Sequence, residues 1–425
     1  MRTPLLAACC LGLLVAGCNS DGATPESRRA VHAFFLGNPS SAARQFEPLA
    51  EKPDQNYVLN NLRLASSRLA MQDFQQAENA LVRAYEVMNS TRVNDPARRA
   101  AAVLFDEKIK IWRGEPYERA VANFYLGLIY YEQGDYQNAR GAFENALFKL
   151  RDYGSKDQIK RNDYASVESD FAAAMLMLGR CWEKLGDADN ARAQWDRLSQ
   201  LRPDARELGE KMKSRRVNVI VMVDVGFGPR KTSDFDGSIV GFDPEPGNAG
   251  PILMPRLAID GVECDTAGVV PLFDTVRMAQ DRRWQSIDTI RVFKSGLGTA
   301  LIAGGVLTTG YGLNRDDGST ALVGLGLIAA GLLAKASSQA DLRQWEMVPR
   351  STIVIPLEVE PGEFELTLRA AGGVEQTWRG MIAPTPGQND LLVYLRAMRF
   401  LNGEYDVRAV EGGPQILPDR PGVER

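Results

Sequence analysis

The chain has 425 residues, which is too long for one compact core and predicts two or three domains. Lys and Arg number 50 against 54 Asp and Glu, so the charge of -4 leaves no basic face suited to nucleic acid, and no nucleic-acid partner is expected. The single histidine, His32, argues against most histidine-dependent hydrolase chemistry.

The first residues have the pattern of a bacterial lipoprotein signal. Arg2 is followed by an apolar segment from Leu5 to Ala16, and Cys18 comes after small residues where cleavage would fall. This predicts a signal peptide over 1–17 and a thiol at Cys18 acylated with palmitate-type chains, which would anchor the protein without a spanning helix. A plain secretory signal and a buried helix are the alternatives.

Asn19 bears on the location of the anchored protein. By resemblance to enterobacterial lipoproteins, in which Asp at this place retains the protein in the inner membrane, Asn19 favours the outer membrane. We therefore expect a lipid-anchored protein on the periplasmic face of the outer membrane, with the inner membrane and the cell surface as alternatives. Residues 18–26 are predicted to be the lipidated N-terminus and a polar tether.

Residues 27–214 are predicted to form a helical repeat domain. The clearest unit spans Ala120 to Asp152 and resembles a tetratricopeptide repeat (TPR), in which small residues let two helices approach and aromatic residues fill the space between units. The residues carrying this resemblance are Leu126, Gly127, Tyr130, Gly134, Asp135, Tyr136, Ala139, Phe143 and Ala146. A second copy has Leu178, Gly179, Trp182, Gly186, Asp187, Ala191, Trp195, Leu198 and Pro203.

Two earlier copies are weaker, and the spacing is uneven. One has Leu64, Ala65, Phe74, Ala77, Leu81 and Ala84 but lacks a turn glycine, and the other has Gly37, Ala42, Phe46 and Leu49. Extra segments fall between Met88 and Tyr117 and between Tyr153 and Phe171. The pattern therefore predicts an interrupted α-solenoid.

The first helices of such repeats line a concave groove, which is the predicted site for a protein partner. An apolar centre with basic ends would suit a peptide or helix with hydrophobic anchors and acidic flanks. The alternative is that the β-rich region, or the segment inserted after Met88, already covers this groove. The predicted lining residues are Leu62, Arg63, Phe124, Tyr125, Leu128, Tyr131, Leu176, Met177, Arg180 and Lys184.

Residues 215–405 are predicted to form a β-rich, sandwich-like domain, which makes the chain a multidomain α + β protein. A loop-rich stretch is expected over 226–255, a hairpin turning at Pro361-Gly362, and a loose tail over 406–425. The predicted strands are 217–225, 255–259, 286–293, 352–359, 363–369, 376–382 and 391–396.

Two apolar glycine-rich runs, 297–313 and 321–334, lie inside this domain. Small residues recur every four positions in them, which on a helix makes a smooth face that permits close packing. We therefore predict a helical hairpin over 296–338. Both runs are shorter than a bilayer core requires, which favours a hairpin buried against protein, with membrane insertion or a homo-oligomer seam as alternatives.

Several motifs together resemble a poorly characterised family of bacterial lipoproteins that join TPR repeats to a β-rich C-terminal domain with a glycine-rich hairpin. The resemblance implies this architecture and an envelope location, but no activity. The residues that carry it are 113–119 (RGEPYER), 226–231 (GFGPRK), the glycine-rich runs, and 340–345 (ADLRQW) before the Pro361-Gly362 turn.

No residue pattern identifies a catalytic or metal site. Residues 226–233 have the wrong spacing for a phosphate loop and are predicted to be a turn, and Glu263-Cys264-Asp265 lacks further metal ligands nearby. Cys181 and Cys264 are expected to be two buried thiols, with a disulfide as the alternative. No cofactor is expected, and the chain is predicted to be non-enzymatic.

Two functional hypotheses follow from these patterns. The first is an outer-membrane lipoprotein scaffold that binds a protein partner through its TPR groove, in envelope assembly or export. The second is a structural, oligomerising or pore-like envelope component that acts through the glycine-rich hairpin.

Overall fold

The computed structural model describes residues 23–89, 111–150, 171–234, 239–245, 252, 254–280, 327, 341–370, 374–382 and 390–397. Several predictions concern residues outside these ranges. They are the signal peptide, Cys18, the glycine-rich hairpin apart from Leu327, the strand over 286–293 and the tail over 406–425.

The chain divides into two compact units. The larger contains the described residues of 24–230, 244–280 and 345–397, and the smaller contains Ala23 and the described residues of 231–243 and 281–344. Strands β2 (Pro229–Asp234) and β3 (Ile239–Pro244) pair with each other. The expectation that 226–255 is loop-rich was therefore incomplete, because it missed two strands.

The larger unit begins with helices that pack consecutively, each against the next. Helix α1 starts at Pro25, so the predicted tether ends earlier than expected. Within the described residues up to Leu201, the helices are α1 (Pro25–Phe35), α2 (Pro39–Ala50), α3 (Tyr57–Leu69), α4 (Phe74–Asn89), α5 (Pro116–Glu132), α6 (Tyr136–Lys149), α7 (Ala172–Lys184) and α8 (Ala188–Leu201). The short helices α9 (Arg206–Met212) and α10 (Thr275–Gln280) come later in the chain.

Glycine and aspartate make the sharp turns between paired helices. Gly134 and Gly186 have φ of 76° and 78°, which is the left-handed conformation that ends a helix most readily with glycine. The next residue in each case, Asp135 or Asp187, caps the following helix through its carboxylate. The Gly-Asp pairs of the two stronger repeats therefore act as the sequence predicted.

The predicted close approach of helices is confirmed at the two small residues of the repeats. A Cβ atom on Gly127 would lie 2.5 Å from Phe143 Cε1, and one on Gly179 would lie 2.8 Å from Trp195 Cζ2. Each glycine on a first helix therefore accommodates the aromatic ring of the second helix, which fixes the distance between α5 and α6 and between α7 and α8.

Two sheets follow the helices in the larger unit. The inner sheet has the strand order β6-β1-β9, with β1 antiparallel to β6 and parallel to β9. The outer sheet is antiparallel with the order β5-β4-β7-β8. The strands are β1 (Val219–Val225), β4 (Arg256–Ile259), β5 (Val262–Glu263), β6 (Ser351–Leu357), β7 (Gly362–Ala370), β8 (Val374–Ile382) and β9 (Leu391–Arg396).

One predicted pairing is wrong. The segments on either side of Pro361-Gly362 are strands, but they do not form a hairpin, because β6 pairs with β1 and β7 pairs with β4 and β8. The turn carries the chain from the inner sheet to the outer sheet. The hairpin in this region is β7-β8 instead.

The two sheets share one hydrophobic core. Alternate residues of β1 and β6, such as Val221 and Ile355, pack with Leu366 of β7 and Leu257 of β4. The remaining residues of the inner sheet lie on its opposite face, where α5 contacts β9 and α7 contacts β6. Helices, inner sheet and outer sheet therefore form three successive layers.

The helical and β-rich parts are not separate compact units. The change from helix to strand lies between Met212 and Val219, as the predicted boundary at 214 requires, but both parts belong to the larger unit. The division into two domains stays a prediction. Among the described helices, none combines the length and apolarity that crossing a bilayer requires.

Candidate protein-binding site

The ten residues predicted to line the concave groove lie against other parts of the same chain. Nine of them are buried and Lys184 is half-buried. Residues of the inner sheet, or just before its strands, contact Arg63, Tyr125, Tyr131 and Arg180 on this side of the helices, which is one of the alternatives that the sequence left open. These side chains are therefore not exposed to a separate partner, and three polar clusters show what they do instead.

The first cluster joins α3 and α5 to the segment before β6. The Arg63 guanidinium donates to both carboxylate oxygens of Glu346, at 2.9 and 2.5 Å. The Trp345 indole donates to Ser66 Oγ at 3.0 Å, and its backbone N–H donates to Glu118 Oε1 at 2.7 Å. Glu118 also completes the capping box at the start of α5. The same carboxylate therefore holds both the start of α5 and the backbone of Trp345.

The second cluster surrounds Asp224, a fully buried carboxylate in β1. It accepts hydrogen bonds from the hydroxyls of Tyr125 and Thr352, and from Tyr394 Oη at 2.6 Å. The nearest guanidinium nitrogen of Arg396 is 3.9 Å away. Burial raises the pKa of Asp224, against the opposing effects of Arg396 and the hydroxyls, and it also raises the pKa of Tyr125 and Tyr394.

The third cluster surrounds Asp390, immediately before β9. Arg180 Nε donates to its carboxylate at 2.9 Å, Lys184 Nζ lies 2.6 Å from it, and Tyr131 Oη donates at 2.5 Å. Burial alone would raise the pKa of Asp390, but these three neighbours lower it below its ordinary value. The basic end of the predicted groove is thus neutralised by an acidic residue of the same chain.

Gln72 explains why the earlier repeat needs no turn glycine. It adopts a φ of 60° at the end of α3, the left-handed conformation that Gly134 and Gly186 adopt in the stronger repeats. Its side-chain amide donates to the carbonyl of Tyr394 and accepts from the Tyr394 N–H at 3.3 Å. The turn therefore satisfies the free backbone groups of Tyr394, in the middle of the edge of β9.

An open cleft of about 740 Å³ lies where the shared core of the two sheets meets solvent. Its apolar lining includes Val217, Ile259, Leu357 and Phe364. The exposed side chain of Val262, 72% accessible, stands at its margin. The cleft therefore offers a concave surface with apolar side chains at which another molecule could bind.

The rim of the cleft is acidic. Lys211 is the one basic residue among the lining residues, and it is already paired with Asp265 at 3.3 Å. Among the described residues, Glu360 and Glu363 are exposed and have no ion-pair partner. The six carboxylates of the lining are Asp260, Glu263, Asp265, Glu358, Glu360 and Glu363. The cleft therefore complements a chain segment with basic and apolar side chains.

Other candidate chemistry yields no site. Gly226, with a φ of 66°, lies between β1 and β2, so the motif over 226–233 begins with a turn, as predicted, but continues into strand β2, which was not predicted. Both Cys181 and Cys264 are free thiols, the first buried and the second half-buried in the lining of the cleft. Within the described ranges, no group of three or more His, Cys, Asp or Glu side chains could hold a metal ion.

The sequence did not reveal which carboxylates accept hydrogen bonds from the groove residues. Asp224, Glu346 and Asp390 are single acidic residues distant in sequence from the helices that they contact. One signal was available, because an aspartate in the otherwise apolar segment Val219–Val225 must find buried partners.

Comparison with known families agrees with the helical geometry. Residues 120–152 and 173–205 each match the tetratricopeptide repeat family, and these stretches cover most of the helix pairs α5-α6 and α7-α8. No curated protein matches the chain. TPR repeats generally mediate protein–protein interactions and are typically non-enzymatic. The chain is therefore an α + β protein that contains two repeats matching the TPR family.

Proposed function

We propose that this protein is a non-enzymatic, lipid-anchored scaffold of the bacterial envelope that binds a protein partner. Its two TPR repeats support a role in protein–protein interaction. The lipoprotein signal ending at Cys18 supports the anchor, and Asn19 favours the outer membrane.

The observation that carries the proposal is the acidic cleft. Because the concave side of the repeats is filled by the inner sheet, a partner needs another concave surface, and the cleft is open, apolar at its base and negatively charged at its rim. The occupant that fits this chemistry is an extended segment of a partner protein with alternating basic and apolar residues. Its apolar side chains would contact Phe364 and Leu357, and its basic side chains would pair with Glu360 and Glu363.

Fluorescence anisotropy with labelled eight-residue peptides tests the cleft. We expect a peptide of alternating Lys and Val to bind, with an affinity that falls as salt rises, and peptides of Glu and Val or of Lys and Ser to bind at least tenfold more weakly. Glu360→Lys with Glu363→Lys should abolish binding. The matched control, Glu144→Lys with Asp189→Lys, makes the same change in charge on α6 and α8 and should bind as the wild type does.

Two results would contradict the cleft as the site. One is equal binding of the Glu-Val peptide, and the other is equal loss of binding in the control variant. Crosslinking in intact envelopes then tests the scaffold itself. The same partner should be captured by the wild type and the control, and lost from the Glu360→Lys, Glu363→Lys variant.

Cys18→Ser tests the anchor. If the lipid is the anchor, the variant should be recovered in the soluble fraction, whereas the wild type stays with membranes through a carbonate wash. Retention of the variant after that wash would instead favour the second hypothesis, in which residues 296–338 insert into the membrane or oligomerise in a structural or pore-like component.

A further inference from the structure

The β9 edge of the inner sheet and the β8 edge of the outer sheet differ in their contacts. In β9 the free backbone groups of Tyr394 bond the Gln72 side chain, whereas β8 pairs only with β7 among the described residues. β8 is nine residues long and contains no proline, a residue that commonly protects exposed edges. An edge of this kind is suited to pairing with another strand.

The direction of the free backbone groups follows from the neighbouring pairing. Asp260 N–H donates to the Glu365 carbonyl at 2.8 Å, so the backbone groups of Glu365 face β4. Those of Leu366 therefore face β8 and meet Trp378, its partner in the register. Since successive residues alternate, the N–H and C=O groups of Glu375, Thr377, Arg379 and Met381 face away from β7.

The side chains of these residues carry a self-complementary pattern. Glu375 accepts from Arg369 Nε at 2.8 Å, and Arg379 Nε donates to Glu365 at 2.9 Å, so both charges stand on the outer face of the sheet. Thr377 lies midway between them. A twofold axis at Thr377 would place Glu375 of each strand opposite Arg379 of the other.

We infer that the β8 edge binds a second copy of this chain, antiparallel and centred on Thr377. In this register the outward backbone groups of Glu375, Thr377 and Arg379 meet those of the other copy. Across the joined sheets, Arg369 and Glu375 of one copy then stand in one row with Arg379 and Glu365 of the other copy. The charges in this row alternate in sign.

Shifting the register removes this match. Moving the axis by two residues in either direction puts Glu375 opposite Glu375 or Arg379 opposite Arg379, and like charges directly opposite each other are unfavourable. Moving it by one residue leaves both charges without a charged partner. The charge pattern therefore selects one isologous dimer, which is separate from the glycine-rich hairpin as a means of self-association.

Charge reversal with mixing tests the dimer. Two populations of the full chain carrying different affinity tags are mixed and co-purified. Wild type should co-purify with wild type, while Arg379→Glu with itself and Glu375→Arg with itself should each show at least a tenfold loss. Arg379→Glu mixed with Glu375→Arg should recover co-purification, because every facing pair is then of opposite sign. This recovery also shows that both variants fold.

Thr377→Lys is the second variant, since it leaves all intramolecular ion pairs intact and brings two like charges together at the axis. It should abolish co-purification with unchanged circular dichroism. The inference is overturned if the wild type does not self-associate, if the mixed pair is no better than either variant alone, or if association survives Thr377→Lys and is lost only on removal of 296–338.

Discussion

Arg180 and Asp390 form a buried ion pair that joins the second TPR repeat to the last strand of the inner sheet. The distance from Arg180 Nε to the carboxylate is 2.9 Å, and the two side chains are 4% and 2% exposed. Arg180 also donates to the backbone carbonyls of Met212 and Val217, on the path from the helices into β1. One guanidinium thus holds three segments of the chain together.

Asp390→Asn should therefore destabilise the protein strongly. The substitution removes the buried carboxylate that Arg180 and Lys184 share, and leaves Arg180 only the partly exposed Glu183 at 3.2 Å. Breaking a buried pair in this way costs about 3 to 5 kcal/mol. Urea unfolding at pH 7 measures the loss. Asp189→Asn is the control, because that carboxylate is 94% exposed and should leave the unfolding midpoint unchanged.

The contribution of Asp390 should also depend on pH. Its pKa is lowered in the folded state, so it binds a proton less readily when folded than when unfolded. Its stabilisation is present above the ordinary carboxyl pKa of 3.8 and is lost as pH falls below that value towards the folded pKa. The difference in unfolding free energy between wild type and Asp390→Asn should therefore shrink in acid. A difference that is the same at pH 7 and in acid would contradict this linkage.

Gly127→Ala and Gly141→Ala should have opposite effects on stability. The added methyl at Gly127 meets the Phe143 ring at 2.5 Å, and overpacking of this kind costs about 1 to 3 kcal/mol. Gly141 lies in α6 with no atom within 4 Å of the added methyl, so alanine should stabilise the helix by about 0.5 to 1 kcal/mol. Thermal unfolding of the two variants compares them directly. Gly127→Leu should be more damaging still, and an unchanged transition would show that the repeat register is wrong.

Local signals in the sequence predicted the repeats well. Gly134-Asp135 and Gly186-Asp187 encode a helix end and the next helix start within two residues, so neither depends on distant parts of the chain. The strands β1 and β9 were likewise evident from apolar runs. Short-range chemistry suffices for elements of this kind.

Which strands pair, and what covers the groove, depend on residues that are distant in sequence. The sequence was less informative about both. The turn at Pro361-Gly362 has the composition of a hairpin, but the core shared by the two sheets requires β6 and β7 to lie in different layers. The groove residues were predicted to bind a partner, with cover by the β-rich region as one alternative, and nine of the ten are buried within the chain. Their pattern could not reveal whether the cover is a partner or the inner sheet, because both would be apolar with acidic flanks.

The two thiols should differ in reactivity. Cys181 is buried, and burial raises its pKa, so it should react with a disulfide reagent only after unfolding. Cys264 is half-buried in the cleft, and burial raises its pKa as well, so it should react slowly at neutral pH and faster as pH rises. Mass spectrometry of the labelled protein distinguishes them. Rapid labelling of Cys181 in the native protein would show that α7 is less well packed than the structure indicates.

The double substitution Tyr125→Ala, Tyr131→Ala should unfold the protein rather than only weaken the binding of a partner. The hydroxyls of these residues bond Asp224 and Asp390, and both rings are buried between the helices and the inner sheet. Removing a buried aromatic ring costs about 3 to 5 kcal/mol, so two such losses approach the whole stability of a typical domain.

Tyr125→Phe is the matched control, since it keeps the ring and removes only one donor to Asp224, and it should remain folded with a lower unfolding midpoint. Circular dichroism and urea unfolding measure both variants. A double variant that keeps native circular dichroism and an unchanged midpoint would mean that the sheet does not occupy the groove in solution, and Tyr125 and Tyr131 would then be available to a partner.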